Sequence, residues 1–392
     1  MIITFYIIVS VLLITSGNII LHNNKGFVGV SYEKVYGMFK IDIQIGNSKQ
    51  DISICLDMCN NFTWISYYLY KRHLSTSLQI INNDTQFTLV NETIPSYLFK
   101  DGLDMYCSNM NMFINVNDFA FYYPKVRVPE HFGVDAIGLG CYYDNTKYSL
   151  VHLLYEHNVI TYKSFMFVPM TFNKGNVYFG KVTSDVVNKE FVYEINVQDE
   201  RSSKWNVKFE GVEHGGRVGY QKKENVYFDC KEDFVLAPMD YFKYVNSTVF
   251  KGLINKEICN VSYNTNMNSV FYYCKCEGIK EEGDVVFWFG NVGVVVKFNE
   301  LFEREYDMCV YLIKNNHKEE KWVFGNTFLS LFPIEFDYEK KKVLIYSDKE
   351  FKERNSLYRD NYIGKLCCGL FVVCVVGVLY SIYVIYKVKR VL

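Results

Sequence analysis

The sequence has no basic surplus. Lys and Arg number 42 against 43 Asp and Glu, a formal net charge of −1. The chain therefore lacks the excess cations that bind a phosphate backbone by releasing its counterions, which excludes nucleic acid as a main partner. It also lacks the low hydrophobicity of a disordered protein, since 49% of its residues are hydrophobic. No short-period repeat is present. Histidine is sparse and unclustered: His22, His73, His131, His152, His157, His214 and His317 show no metal-ligand spacing. His152 and His157 stand five residues apart, about 140° around a helix and so on different faces.

What is present is length, aromatic residues and two apolar ends. A chain of 392 residues is long for one core and fits two lobes. Aromatic residues make up 17%, and with β-branched residues they favour strands. Residues 1–17 read as a secretory signal, although without a basic start. Residues 18–33 follow as a short leader. Near the other end, Leu366 to Tyr386 carries no charge and is long enough to span a bilayer core of roughly 30 Å. Lys387, Lys389 and Arg390 come directly after it, and the positive-inside rule puts 387–392 in the cytosol. The expectation is a single-pass type I membrane protein with its ectodomain in the secretory lumen or outside the cell. Residues 348–365 read as a stalk. Three of the 12 cysteines, Cys367, Cys368 and Cys374, lie in the expected span, and an oxidising compartment pairs most of the remaining nine. Acceptor triplets for N-glycosylation begin at Asn61, Asn83, Asn91, Asn246 and Asn260.

Two stretches share a plan. Ile54-Cys55-Leu56-Asp57 and Val226-Tyr227-Phe228-Asp229 are apolar runs that each end on an aspartate. A carboxylate at the end of a buried strand is costly unless it is used or satisfied. The repetition suggests two similar lobes, 34–190 and 191–347, each presenting one Asp. Tyr36 to Gly46 alternates like a half-buried strand. Ser164–Val168 and Asn176–Gly180 read as a hairpin, Leu150–His157 as a short helix, Pro238–Val249 as helical, and Asp284–Phe298 as a strand pair.

These residues resemble the pepsin-like aspartic proteases over roughly 34–347. The match runs from Tyr36-Gly37 through Asp57 to Trp64. It continues in Ala136-Ile137-Gly138-Leu139, Val177-Tyr178-Phe179-Gly180, Lys204-Trp205-Asn206-Val207 and Asp229 to Ala237-Pro238. It is most specific in Trp322-Val323-Phe324-Gly325-Asn326-Thr327-Phe328-Leu329 and Phe336-Asp337. The resemblance implies an all-β bilobal acid-protease fold, two six-stranded-type β-barrel lobes with a cleft between them, followed here by the C-terminal transmembrane helix. It implies disulfides Cys276–Cys309 and Cys259–Cys274. It also implies that Asp57 and Asp229 are the catalytic dyad, needing no metal or cofactor, with a protein or peptide in the cleft. Two carboxylates about 3 Å apart share one proton. The ionised one then activates a water and the protonated one polarises the peptide carbonyl.

The sequence departs from the family where that chemistry is made. The family follows each Asp with Thr or Ser, then Gly, then Ser or Thr. Here Met58-Cys59-Asn60 and Cys230-Lys231-Glu232 stand instead. Met58 cannot donate a hydrogen bond across the lobes, and Cys230 is a weak donor. Asn60 is placed to replace the missing hydroxyl. Lys231 beside Asp229 favours its charged form, and Glu232 adds a carboxylate. Cys59 and Cys230 face a choice between an inter-lobe bridge and separate buried thiols, the latter favoured. The covering hairpin falls at Leu89–Pro95 without the family's Tyr-Gly, with Tyr97 as a substitute. No room for an inhibitory prosegment precedes the first strand. The expectation is a catalytically impaired relative serving as a binding or structural ectodomain. The alternative is an active, divergent aspartic endopeptidase using Asp57 and Asp229.

Overall fold

The computed structural model describes residues 26–89, 92–128, 134–141, 149–199, 202–264, 269–279, 283–316, 320–350 and 352–353. The expected signal and transmembrane segments lie outside the described residues. Among the described residues, no helix is long and apolar enough to cross a membrane.

The N-terminal half supplies β1 (Phe27–Val35), β2 (Met38–Ile45), β3 (Gln50–Asp57), β4 (Gln79–Leu89), β5 (Glu92–Cys107), β6 (Met112–Pro124), β7 (Ala136–Gly138), β8 (Ser164–Thr171) and β9 (Lys174–Gly180). Alternation explains the strands that matter here. In β2, Phe39, Ile41, Ile43 and Ile45 are buried while Lys40, Asp42 and Gln44 lie outside. Tyr36 and Gly37 have φ of 52° and 77°, the paired left-handed residues of a tight hairpin turn between β1 and β2. The leader expectation needs correction, because Phe27 to Ser31 already belongs to β1 and pairs with β9. Phe27, Val28 and Val30 are buried, and that burial outweighs the polar residues around them.

The C-terminal half supplies β10 (Phe191–Asn196), β11 (Asn206–His214), β12 (Arg217–Phe228), β13 (Val235–Ala237), β14 (Cys259–Asn264), β15 (Ser269–Lys275), β16 (Asp284–Phe289), β17 (Val292–Lys297), β18 (Phe302–Glu305) and β19 (Met308–Tyr311). It continues with β20 (Ile313–Asn315), β21 (Val323–Phe324), β22 (Ile334–Asp337), β23 (Lys342–Ser347) and β24 (Lys352–Glu353). β24 pairs with β17, so the first residues read as stalk still contact the lobe.

One 12-stranded sheet runs through both halves, with the path β10-β23-β22-β8-β9-β1-β2-β3-β7, and an 8-stranded and a 4-stranded sheet complete the C-terminal half. The halves meet at β8 and β22, where Phe165 lies opposite Phe336. Their rings stack at 4.9 Å, and Trp205 packs edge-on against Phe336 at 5.2 Å. Apolar and aromatic burial at this junction fixes where the two aspartate loops face one another. The helix over Leu150–Glu156 and the hairpin of β8 with β9 fall where the sequence places them.

Both implied disulfides are present, Cys259–Cys274 and Cys276–Cys309. The expectation that most ectodomain cysteines pair is corrected. Cys55, Cys59, Cys107 and Cys230 remain thiols. They sit apart in β3, in the two loops and at the end of β5, with no partner cysteine across a strand as Cys274 has in Cys259.

Candidate active site

Asp57 ends β3, which pairs with β2 on one side and runs parallel to β7 on the other, Asp57 lying opposite Gly138. Two backbone bonds tie the loop down, from Leu139 N–H to Asp57 O at 2.7 Å and from Gly140 N–H to Asn60 O at 2.7 Å. Gly138 is required by this closeness, since a Cβ there meets the Phe62 carbonyl oxygen at 2.4 Å. The second loop is built the same way. β12 runs parallel to β21, Asp229 N–H donates to Phe324 O at 3.1 Å, and Gly325 takes the place of Gly138, with a Cβ meeting Phe234 O at 2.2 Å. Asn326 Nδ2 adds a bond of 3.0 Å to Cys230 O.

Asp57 is 1% exposed and fully solvated by protein. Its Oδ1 accepts from Cys59 N–H at 2.8 Å and Asn60 N–H at 3.2 Å. Its Oδ2 accepts from Asn60 Nδ2 at 2.7 Å and from Lys231 Nζ at 2.7 Å. Asn60 thus replaces the missing hydroxyl, as its position in sequence indicates. Lys231 differs from expectation. Its side chain crosses to the opposite lobe, and only its backbone N–H serves Asp229 Oδ1, at 3.0 Å. Burial opposes the ammonium charge, but Asp57 and Asp229 together overcome it and hold Lys231 above the usual lysine value.

Asp229 is partly exposed where Asp57 is buried, yet its carboxyl still lies in a largely desolvated setting. Burial raises it above its ordinary value, Lys231 opposes that shift, and the Asp57 charge adds to it. The Cys59 thiol donates a hydrogen bond to it. Burial, followed by the charges of Asp229 and Asp57, pushes the Cys59 and Cys230 thiols well up, so neither is a ready nucleophile.

The cross-lobe lock survives by half. Cys230 Sγ donates to Leu56 O at 3.1 Å and receives Met58 N–H. Met58 itself is fully buried in the core. Ser203 makes up part of the loss by donating to Cys59 O at 2.5 Å; nothing in its local sequence marks it, because it lies in the turn before Trp205. The hairpin over the N-terminal lobe is β4 with β5, Leu89 opposite Glu92. Its inner face, Phe87, Leu89 and Ile94, packs on Trp64 with Phe62 and Tyr122, and the Phe87 and Trp64 rings stack at 5.9 Å.

Away from both aspartates, a cavity of about 600 Å³ is lined by Ile80, Ile81, Lys100, Asp118, His152 and His157, among others. The helix ends at Glu156, so helical spacing does not govern His157 and both imidazoles reach one hollow. Among the described residues, no group of three or more His, Cys, Asp and Glu is disposed to hold a metal.

Comparison places this geometry in a wider set. A family model described as eukaryotic aspartyl protease matches residues 132–347. An aspartic proteinase from Irpex lacteus is similar in structure, with a TM-score of 0.63 and 11% identity over 82% of this chain and 97% of that one. At that identity the likeness concerns the fold. No curated protein matches the chain.

Proposed function

Because the chain belongs to the eukaryotic aspartyl protease family, whose chemistry needs a water between two carboxylates, we propose that it is a catalytically impaired member whose cleft holds a protein or peptide. The observation that carries this reading is the pair of donors on Asp57 Oδ2. Asn60 and Lys231 both reach it at 2.7 Å, leaving that oxygen poorly able to accept a proton from an attacking water. The Lys231 ammonium occupies that oxygen without offering a nucleophile. The lobes are also tied together at the dyad by the same ion pair.

The runner-up is slow hydrolysis by Asp57 and Asp229. It is favoured by the raised Asp229 carboxyl, which supplies the protonated partner that a shared-proton dyad needs. Purified protein incubated with a peptide library from pH 3 to 7.5 separates the two. Cleavage that disappears in both Asp57→Ala and Asp229→Ala overturns the impaired reading. No cleavage, together with peptide capture by the wild-type cleft, supports it.

The setting proposed for this ectodomain is the secretory lumen or cell surface, anchored by 366–386. Two disulfides suit an oxidising compartment. Glycosidase sensitivity and protease protection of the expressed chain in microsomes test orientation and anchoring.

A further inference from the structure

We propose that Lys314 is a nucleophilic amine that captures an uncharged, apolar aldehyde as a Schiff base, outside the pair of Asp57 and Asp229. Lys314 is the central residue of β20 and is half-buried. Its Nζ stands 2.9 Å from the Phe234 ring centre and 4.6 Å from that of Phe271. Lys34, Lys181 and Lys231 each hold a carboxylate within 3.1 Å. Among the described residues, no carboxylate or other acceptor bonds Lys314. Asp233, Glu305 and Glu303 act on it only through their charges.

Ring faces attract an ammonium, but they do not replace the hydrogen bonds that water gives its three donors. Burial therefore favours the neutral amine. The three carboxylates return only part of the loss, which leaves Lys314 at about 8. Asp233 is itself engaged by Lys34 at 2.9 Å. A neutral amine with a free lone pair is the form that attacks a carbonyl carbon. The nitrogen bonds that carbon, and the carbon–oxygen bond breaks. Both protons of the nitrogen depart with the oxygen as water, so the step needs no oxidant or reductant.

The surroundings select the aldehyde. Leu236 lies beside Lys314 in the ladder of β13 with β20, so Phe234, Leu236 and Phe271 offer apolar contact around the amine. Glu303 and Glu305 repel a carbonyl compound that carries its own carboxylate or phosphate. An uncharged aromatic or aliphatic aldehyde meets both conditions.

The test treats the full chain in detergent micelles with benzaldehyde and cyanoborohydride, which fixes each imine, and maps the adducts by peptide mass spectrometry. Lys251, exposed at the start of its short helix, is the reference. At pH 7 the neutral fraction of an amine at about 8 exceeds that of an ordinary lysine roughly 200-fold, and lower basicity takes back part of that lead. Expected is labelling of Lys314 at least about 10-fold faster than Lys251 at pH 7. Its rate should rise with a midpoint near pH 8, where that of Lys251 is still climbing. Glyoxylate, an anionic aldehyde, gives a smaller lead. Phe234→Ala lets water reach the ammonium and removes most of the lead. Glu303→Gln takes away a charge that holds the proton and raises the Lys314 rate at pH 7. Equal rates for Lys314 and Lys251 overturn the proposal. So does a lead that is as large with glyoxylate, or one that Phe234→Ala leaves intact. Should Phe234→Ala lose its fold, Phe271→Ala reads the same dependence.

Discussion

Lys231 forms its ion pair with Asp57, the aspartate of the opposite lobe, at 2.7 Å. The neighbour in sequence receives a backbone bond, and the distant carboxylate receives the charge. The ammonium is 25% exposed on its side-chain surface while Asp57 is nearly inaccessible, so removing it strands the more buried partner.

Lys231→Met is therefore expected to lower stability at neutral pH by about 1.5–3 kcal/mol, the range for a hydrogen bond to a charged group. Because the folded lysine titrates above its ordinary value, the contribution is fully present below the unfolded lysine value and is lost only as pH rises through the folded one. Denaturant melts at pH 6 and 9 should show nearly the same difference.

Asp229→Asn should act in the opposite sense. A carboxyl raised by burial makes the folded state bind a proton more tightly than the unfolded state. Stability then falls as pH rises from the ordinary aspartate value through the folded one. The asparagine variant lacks this titration, so its Tm relative to wild type should be higher at pH 7 than at pH 3. An unchanged difference across that range contradicts the assignment.

His214 gives a separate acid response. It is buried, contacts Tyr241 OH at 3.1 Å through Nε2, and burial lowers it to about 4. The unfolded state binds a proton that the folded state refuses, so stability is lost as pH falls from about 6.5 toward 4, by about 3 kcal/mol in all. His214→Gln should flatten the wild-type melting profile in that window, leaving the profile above pH 7 parallel.

Trp64→Ala is expected to cost about 3–5 kcal/mol. Its distinctive signature is local. Amide exchange should quicken in Phe87–Leu89 and around Ile94, which pack on the indole, while β15 and β19 keep their wild-type rates.

The strands and both aspartate positions are legible in sequence because their signals are local. Phe39, Ile41, Ile43 and Ile45 alternate, and Asp57 and Asp229 each end an apolar run. Gly138 and Gly325 are also readable, since close backbone approach needs that residue. What escaped is directional. A lysine next to Asp229 in the chain gives no sign that its long side chain turns away and crosses the cleft. Ser203 lies in an ordinary polar turn, and its bond to Cys59 depends on how two distant loops meet. The thiols follow the same rule, because pairing depends on which strands lie side by side: Cys274 stands opposite Cys259 on one flank and Cys309 on the other, whereas Cys55 faces Lys40 and Ala136, and Cys107 faces Met112. β1 began earlier than its polar surroundings indicate, because β9 supplied a surface on which to bury it.

The pairing of β8 with β22 sets an order on synthesis. β8 is complete at Thr171, but its neighbour Ile334–Asp337 leaves the ribosome only after most of the C-terminal half. During that interval the emerging N-terminal half carries a row of unmatched amide and carbonyl groups along Phe165 to Phe167, flanked by large aromatic side chains. Such a row recruits other strands. The nascent chain thus depends on its own tail for protection, and any truncation before residue 334 leaves a half that is prone to aggregate.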